Sequence, residues 1–358
     1  MNTIVSEDIE YIMRQFEGKD MLRGNSFLIT GCAGFLGFMF LHFLASNADK
    51  LGIKKIICLD NFKLGRPSWI DNLVNEHESI KLYDFNIVTD ELGDVEDSFN
   101  IDYVLHLASI ASPTFYRKYP IETLDANVWG LRRLLDYYRE SELKGLLFFS
   151  SSEVYGNPDP AFIPIEENYR GNVTSIGPRA CYDEAKRFGE TLCFLYAKEY
   201  GLPVRIVRPF NNYGPGMNIN DRRVPADFAR DIIRNNDIVL YSDGSPTRTF
   251  CYVTDAVVGY LKVLTYGEFD VFNIGADRPE IPIRELAEIF AAAGTKMANY
   301  AGTIRRAIPE SDDYLRDNPS RRCPSIEKAR RLLGYSPRIE VREGVERYLK
   351  YLLTREES

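Results

Sequence analysis

The chain has 358 residues, 45% of them hydrophobic, and a formal net charge of -8, so it can build a full core in one large domain or two interleaved ones. With no basic stripe to neutralise phosphates, nucleic acid is excluded as a partner. No apolar run reaches the length of a membrane span and no signal-peptide pattern precedes Arg23, so a soluble, cytoplasmic protein is expected, outside the membrane.

Residues 1–23 read as a polar, partly amphipathic helix without evident function, and 1–24 as a helical extension. From Asn25 apolar runs alternate with helical periodicity. "SFLIT" is a strand, "GFMFLHFLASNADKLG" a helix, and "KKIICLD" and "IDYVLHLAS" are strands. "IETLDANVWGLRRLLDYYRES" is a helix, "KGLLFFSS" a strand, "CYDEAKRFGETLCFLYAKEYG" a helix and "PVRIVRPF" a strand. This alternation predicts an α/β fold, a Rossmann-like doubly wound parallel sheet over 25–212. Past Tyr213 come more turns, an amphipathic "ADFARDIIRN", short strands and a last helix "EGVERYLKYLLT". They predict a smaller α/β lobe over 213–358, interleaved with the first and returning part of itself to it.

Six cysteines (Cys32, Cys58, Cys181, Cys193, Cys251, Cys323) form no C-x-x-C pair and read as reduced core thiols. His42, His77 and His106 have no metal-ligand spacing, so no metal is expected. Acid–base chemistry then falls to Tyr, Lys, Glu and Ser.

"FLITGCAGFLG" sets Gly31, Gly34 and Gly37 directly after the first strand and at a helix start. Such a turn lets backbone N–H groups of residues such as Phe35 and Leu36 approach a pyrophosphate at the positive helix end. Asp60 of "ICLDNF", followed by Asn61, ends the second strand, where a carboxylate accepts ribose hydroxyls and repels a 2′-phosphate. NAD is therefore expected rather than NADP.

Tyr182 and Lys186 stand four apart, on one helix face. A tyrosine with an ordinary pKa of about 10 becomes a base near neutrality only beside positive charge. Lys186 and an oxidised nicotinamide would supply it. Ser151, from the preceding strand, would hold the hydroxyl that Tyr182 deprotonates, so the first step expected is oxidation of an alcohol.

From about Asn25 to Thr354 the chain resembles the extended short-chain dehydrogenase/reductases that act on nucleotide sugars, and most of all the UDP-glucuronate decarboxylases. The resemblance lies in "HLASIASPTFYRKYPIETLDANVWG", "SSEVYGNP", "IGPRACYDEAKR", "RPFNNYGPGMNINDRRV", "SPTRTFCYVTD" and "RCPSIEKARRLLGYSP". It implies Leu107 and Ala108 beside the cofactor and Ser112, Tyr116 and Ser152 beside the sugar. It further implies Asn211, Arg223, Val224 and Tyr241 near the nucleotide and its diphosphate, Arg248 gripping the diphosphate, and Arg322 near the substrate carboxylate. A homodimer is implied too, formed by the helices around Leu131–Tyr138 and Phe188–Tyr196 pairing into four.

The residues after Ser151 separate the reactions open to a 4-keto sugar. In this frame the 4,6-dehydratases carry Asp-Glu there, whereas this chain has Ser152-Glu153, and a serine is too weak an acid to protonate a departing hydroxyl. A 4-epimerase has no evident need of Glu153. Decarboxylases match both positions, so conversion of UDP-glucuronate to UDP-xylose or its 4-keto precursor is the leading expectation. The 4-epimerase stands second, the dehydratase third, and a non-catalytic sensor of NAD and nucleotide sugar last. Cys32, Phe38-Met39 and Cys323 depart from the family pattern, as do Arg170, Thr174 and Ser175 in a segment expected to border the sugar pocket.

Overall fold

The computed structural model describes residues 2–308 and 318–354. Seven parallel strands form its central sheet: β1 (Ser26–Thr30), β2 (Lys55–Asp60), β3 (Ile80–Asp84), β4 (Tyr103–His106), β5 (Gly145–Phe149), β6 (Val204–Pro209) and β7 (Val271–Ile274). Their order is β7-β6-β5-β4-β1-β2-β3, with the direction of winding reversing between β1 and β4. The inner strands are mostly apolar and buried, which suits a sheet covered on both faces. Phe27, Ile29, Leu105, Leu147 and Phe149 point into one core, while Leu28, Val104, Leu146 and Phe148 point into the other. The period-2 alternation of a strand thus feeds two separate helical layers.

One layer holds α1 (Thr3–Gln15) and α2 (Phe35–Ser46); the other holds α3 (Leu131–Tyr138) and α4 (Ala180–Tyr200). The helix expected over Ile121–Ser141 is not regular. An α-helical segment over Pro120–Asp125 passes through a π-wound stretch, Ala126–Gly130, into α3. There the Asn127 amide donates to the Thr123 carbonyl at 2.7 Å, intruding on the helical ladder.

The polar reading of residues 1–23 needs correction. Ile4, Val5, Ile9 and Ile12 of α1 are buried in the first core, and Asp8 is fully buried. Asp8 accepts from Arg347 at 2.7 Å and from the Tyr252 hydroxyl at 2.8 Å, and Tyr11 donates to Asp255 at 2.6 Å. Burial pushes the Asp8 carboxyl up to about 6 against the pull of Arg347. Arg347→Met leaves that carboxylate without its cation and should destabilise the fold by about 3 kcal/mol in urea unfolding, whereas Asp8→Asn should cost less.

β7 aligns in parallel with β6 at the edge of the sheet. Beyond the sheet, the short strand Thr247–Arg248 lies between Ile281–Pro282 and Arg321–Arg322, in a register that sets Arg322 opposite Arg248. No helix among the described residues is long and apolar enough to cross a membrane.

Candidate active site

A cavity of about 1590 Å³ crosses the carboxyl ends of the strands, from Asp60 and the glycine turn to Tyr241 and Arg248. This is the switch point where open α/β sheets bind ligands. A single small-molecule pocket is typically ~300–1,000 Å³, so there is room for a dinucleotide and a second ligand together.

Backbone geometry shapes the dinucleotide end. Gly31 has φ 68°, and a Cβ there would lie 2.6 Å from the Ala108 backbone. A Cβ on Gly37 would lie 2.1 Å from the Cys32 carbonyl oxygen, so the turn can close on α2 only with glycine. Gly34 caps α2, whose first N–H groups, on Phe35, Leu36 and Gly37, face the cavity without helical acceptors. Asp60 accepts from Ala33 N at 2.9 Å and Phe62 N at 2.8 Å. A carboxylate has about four lone-pair positions, which leaves acceptors for ribose hydroxyls. Asn61, Leu107 and Ala108 line the same end. The cradle fits NAD. Cys32 is buried in the core, and Phe38 packs on His42 and Trp69.

At the end of β5 the serines take distinct partners. Ser150 donates to Glu190 at 2.5 Å, and Glu190 also holds Arg208 at 2.6 Å. Ser151 caps the next turn, accepting from Glu153 N at 3.2 Å, and its hydroxyl is close enough to pull against the upward shift of the Tyr182 phenol. The Lys186 ammonium donates to the Phe149 carbonyl at 2.7 Å and lies 5.6 Å from the Tyr182 ring centre. Burial pushes the Tyr182 phenol up to about 12 despite Ser151, and draws Lys186 down to about 7. The lowering expected from Lys186 together with an oxidised nicotinamide is thus not produced by Lys186 alone.

Glu153 does not cap its own turn. Its side chain, 18% exposed, meets the Arg322 guanidinium in a two-pronged pair, one arm at 2.6 Å, and takes a further contact from Arg179. Burial alone would raise this carboxyl, but Arg179 and Arg322 outweigh it and hold it at about 2. Arg248 is turned toward backbone, donating to the carbonyls of Thr247 (2.7 Å), Ser320 (3.3 Å) and Pro319 (2.5 Å). It thereby braces the segment that carries Arg322. Burial and the neighbouring Arg322 pull the Arg248 guanidinium down to about 9.

Tyr116 is buried with its hydroxyl unpartnered among the described residues, its ring stacked on Tyr182 at 5.2 Å and 11°. Ser112 donates to the Asp221 carbonyl at 2.6 Å, fixing the loop in which Arg223 pairs with Asp221 and covers the Phe35 ring. Val224 opens the helix Val224–Ile233. Asn211, at φ 43°, donates to the Thr249 carbonyl at 2.8 Å, and Ser152 and Tyr241 complete the wall. Arg170, Thr174 and Ser175 are exposed and off the cavity wall, contrary to expectation, because Arg187 ties the Arg170 carbonyl to the outer side of α4. Sequence reasoning missed Arg179, Asp183 and the Glu190–Arg208 pair. For Arg179, Asp183 and Glu190 the helical spacing from Tyr182 and Lys186 was the available signal, whereas Arg208 stands on β6 and had none.

A doubly wound sheet presenting a glycine turn opposite a Ser–Tyr–Lys group defines a dinucleotide-dependent enzyme of short-chain dehydrogenase type. The chain belongs to the NAD dependent epimerase/dehydratase family, whose model matches residues 27–275, and its cofactor is NAD. It is 35% identical to UDP-glucuronic acid decarboxylase 1 of Danio rerio, over 90% of this chain and 72% of that one. It is also 35% identical to UDP-glucuronic acid decarboxylase 5 of Arabidopsis thaliana, over 89% and 86%. An epimerase structure from Methanothermobacter thermautotrophicus superposes with a TM-score of 0.80 at 28% identity, covering 96% of this chain and 95% of that one.

Proposed function

We propose that the chain decarboxylates UDP-glucuronate to UDP-xylose or to the 4-keto pentose that precedes it. The carrying observation is Glu153, set directly after the Ser151–Ser152 pair and held by Arg322 in a cavity wall rich in guanidinium groups. The decarboxylase relatives, matched along most of the chain, support the same reading.

In this reading the glycine turn with Phe35 and Leu36 holds the pyrophosphate of NAD, Asp60 and Asn61 its adenosine ribose, and Leu107, Ala108, Tyr182 and Lys186 its nicotinamide half. Bound NAD supplies the acceptor, and later the donor, of hydride at sugar C4. Ser151 hydrogen-bonds the C4 hydroxyl and the Tyr182 phenolate removes its proton. A C4 ketone is β to the C6 carboxylate. Loss of carbon dioxide then moves the C5–C6 bonding electrons into a C4–C5 enolate, which a proton at C5 quenches. Arg322 seats the carboxylate, Tyr182 returns the proton, and Glu153 orients the sugar or takes part in proton transfer. Asn211, Arg223, Val224, Tyr241 and Arg248 would hold the nucleotide diphosphate, and Ser112, Tyr116 and Ser152 the sugar. Ser152 offers no acid for dehydration.

Mass spectrometry of products from a panel of UDP-, dTDP-, GDP- and CDP-sugars tests this. Loss of carbon dioxide from UDP-glucuronate is expected. Loss of water would establish a dehydratase, an isomer of unchanged mass an epimerase, and binding without turnover a sensor.

A homodimer is part of the proposal. Ile121 (67% exposed), Trp129 (57%) and Phe188 (50%), with Leu195, leave apolar side chains uncovered around the Pro120–Tyr138 segment and α4. Two copies could bury them in one four-helix contact. Light scattering should give twice the chain mass, and Trp129→Glu with Phe188→Glu should give the monomer. A cytoplasmic home suits the six unpaired thiols.

A further inference from the structure

Glu153 has two arginine partners, and they are not equivalent. Arg322 puts both terminal nitrogens on Glu153, while its Nε is buried and has no partner among the described residues. Arg179, 4% exposed at the start of α4, touches Glu153 through one nitrogen and Asp183 through Nε at 3.3 Å. Arg179 therefore has an anchor on its own helix, whereas among the described residues the Arg322 side chain is anchored through Glu153 alone. Both side chains line the cavity.

We propose that Arg179 is a positioning residue that stays on Glu153 while Arg322 passes to the carboxylate of the incoming sugar. This rests on the uronate reading above. Were Arg322 the sole partner, its transfer would strand Glu153 as a buried, unpaired carboxylate, which is strongly unfavourable. With Arg179 held by Asp183, Glu153 remains paired throughout, and two carboxylates can share one cavity wall. The groups facing Glu153 are Arg179, Asp183 and Tyr182 from α4, Arg322 and Arg248 from the short sheet, and Tyr116 from the helix Pro113–Lys118. Asp183 keeps one buried oxygen without a partner among the described residues, and burial raises it to about 7. Arg179 thus stands between one carboxylate it keeps ionised and another that takes a proton readily.

Calorimetric titration of the NAD-loaded protein from pH 5 to pH 8, with UDP-glucuronate and UDP-glucose, tests the proposal. In Arg179→Met, affinity for UDP-glucuronate at pH 8 should fall about tenfold or more. It should recover toward pH 5, because protonating Glu153 removes the stranded charge. Affinity for UDP-glucose should stay near wild type, which also reports a folded site. Arg179→Lys should restore most of the loss, and it keeps the test open if the methionine variant does not fold. A pH-independent loss, an equal loss for UDP-glucose, or a lysine variant no better than methionine would overturn the proposal alone. A wild-type protein that binds the two sugars equally would overturn the uronate reading and the proposal with it.

Discussion

Tyr182→Phe should lower turnover of UDP-glucuronate by about a thousandfold while changing its affinity only a few-fold. In the proposed mechanism the phenol removes a proton from a hydroxyl held by Ser151, and positioned acid–base groups contribute roughly 10²–10⁴ in rate. Its ring is buried and stacked on Tyr116, so phenylalanine keeps the packing and loses only the oxygen. The pH dependence has a definite sign. Only the phenolate can act as base, and burial raises the phenol toward 12 in the ligand-free chain. Turnover must therefore rise with pH up to whatever value the bound cofactor's cation brings the phenol down to. Steady-state rates across pH 6–9 and binding calorimetry check this together. A variant retaining a tenth of the activity would remove Tyr182 from its role.

Arg322→Met should weaken UDP-glucuronate binding about 10–100-fold and leave UDP-glucose within about twofold, since a charge-assisted contact contributes ~1.5–3 kcal/mol. The residue is buried opposite Arg248 in the short sheet, where it pairs with Glu153; the proposal gives it the uronate carboxylate. Loss of decarboxylation should exceed the loss of affinity, because the cation that seats the leaving carboxylate is gone. The fold should survive, as Arg179 still pairs with Glu153. Equal weakening for both sugars would mean that Arg322 serves the nucleotide or the structure instead of the uronate.

Much of this was legible along the chain because it depends on local spacing. The glycine turn needs three residues at short intervals after a strand. Tyr182 and Lys186 share a face simply by standing four apart in a helix. The central strand runs announce a doubly covered sheet by being mostly apolar. Other features depend on residues far apart in sequence, and no local pattern carries them. The apolar face of α1 is diluted by charges, one of which, Asp8, has its partner Arg347 at the other end of the chain. The Arg170–Ser175 segment neighbours the site in sequence but is drawn outward by a single arginine on α4.

Glu153 shows where the division falls. By itself the sequence determined that a carboxylate follows the serines and that Ser152 cannot be a strong acid, because residue identity settles those points. Whether that carboxylate would cap a turn or face the cavity was decided only by tertiary structure. Ser151 takes the cap, and parallel pairing of residues 247–248 with 321–322 delivers Arg322 from 169 residues downstream. Charge and hydrogen-bonding capacity belong to the residue, whereas the partner that satisfies them is chosen by the fold.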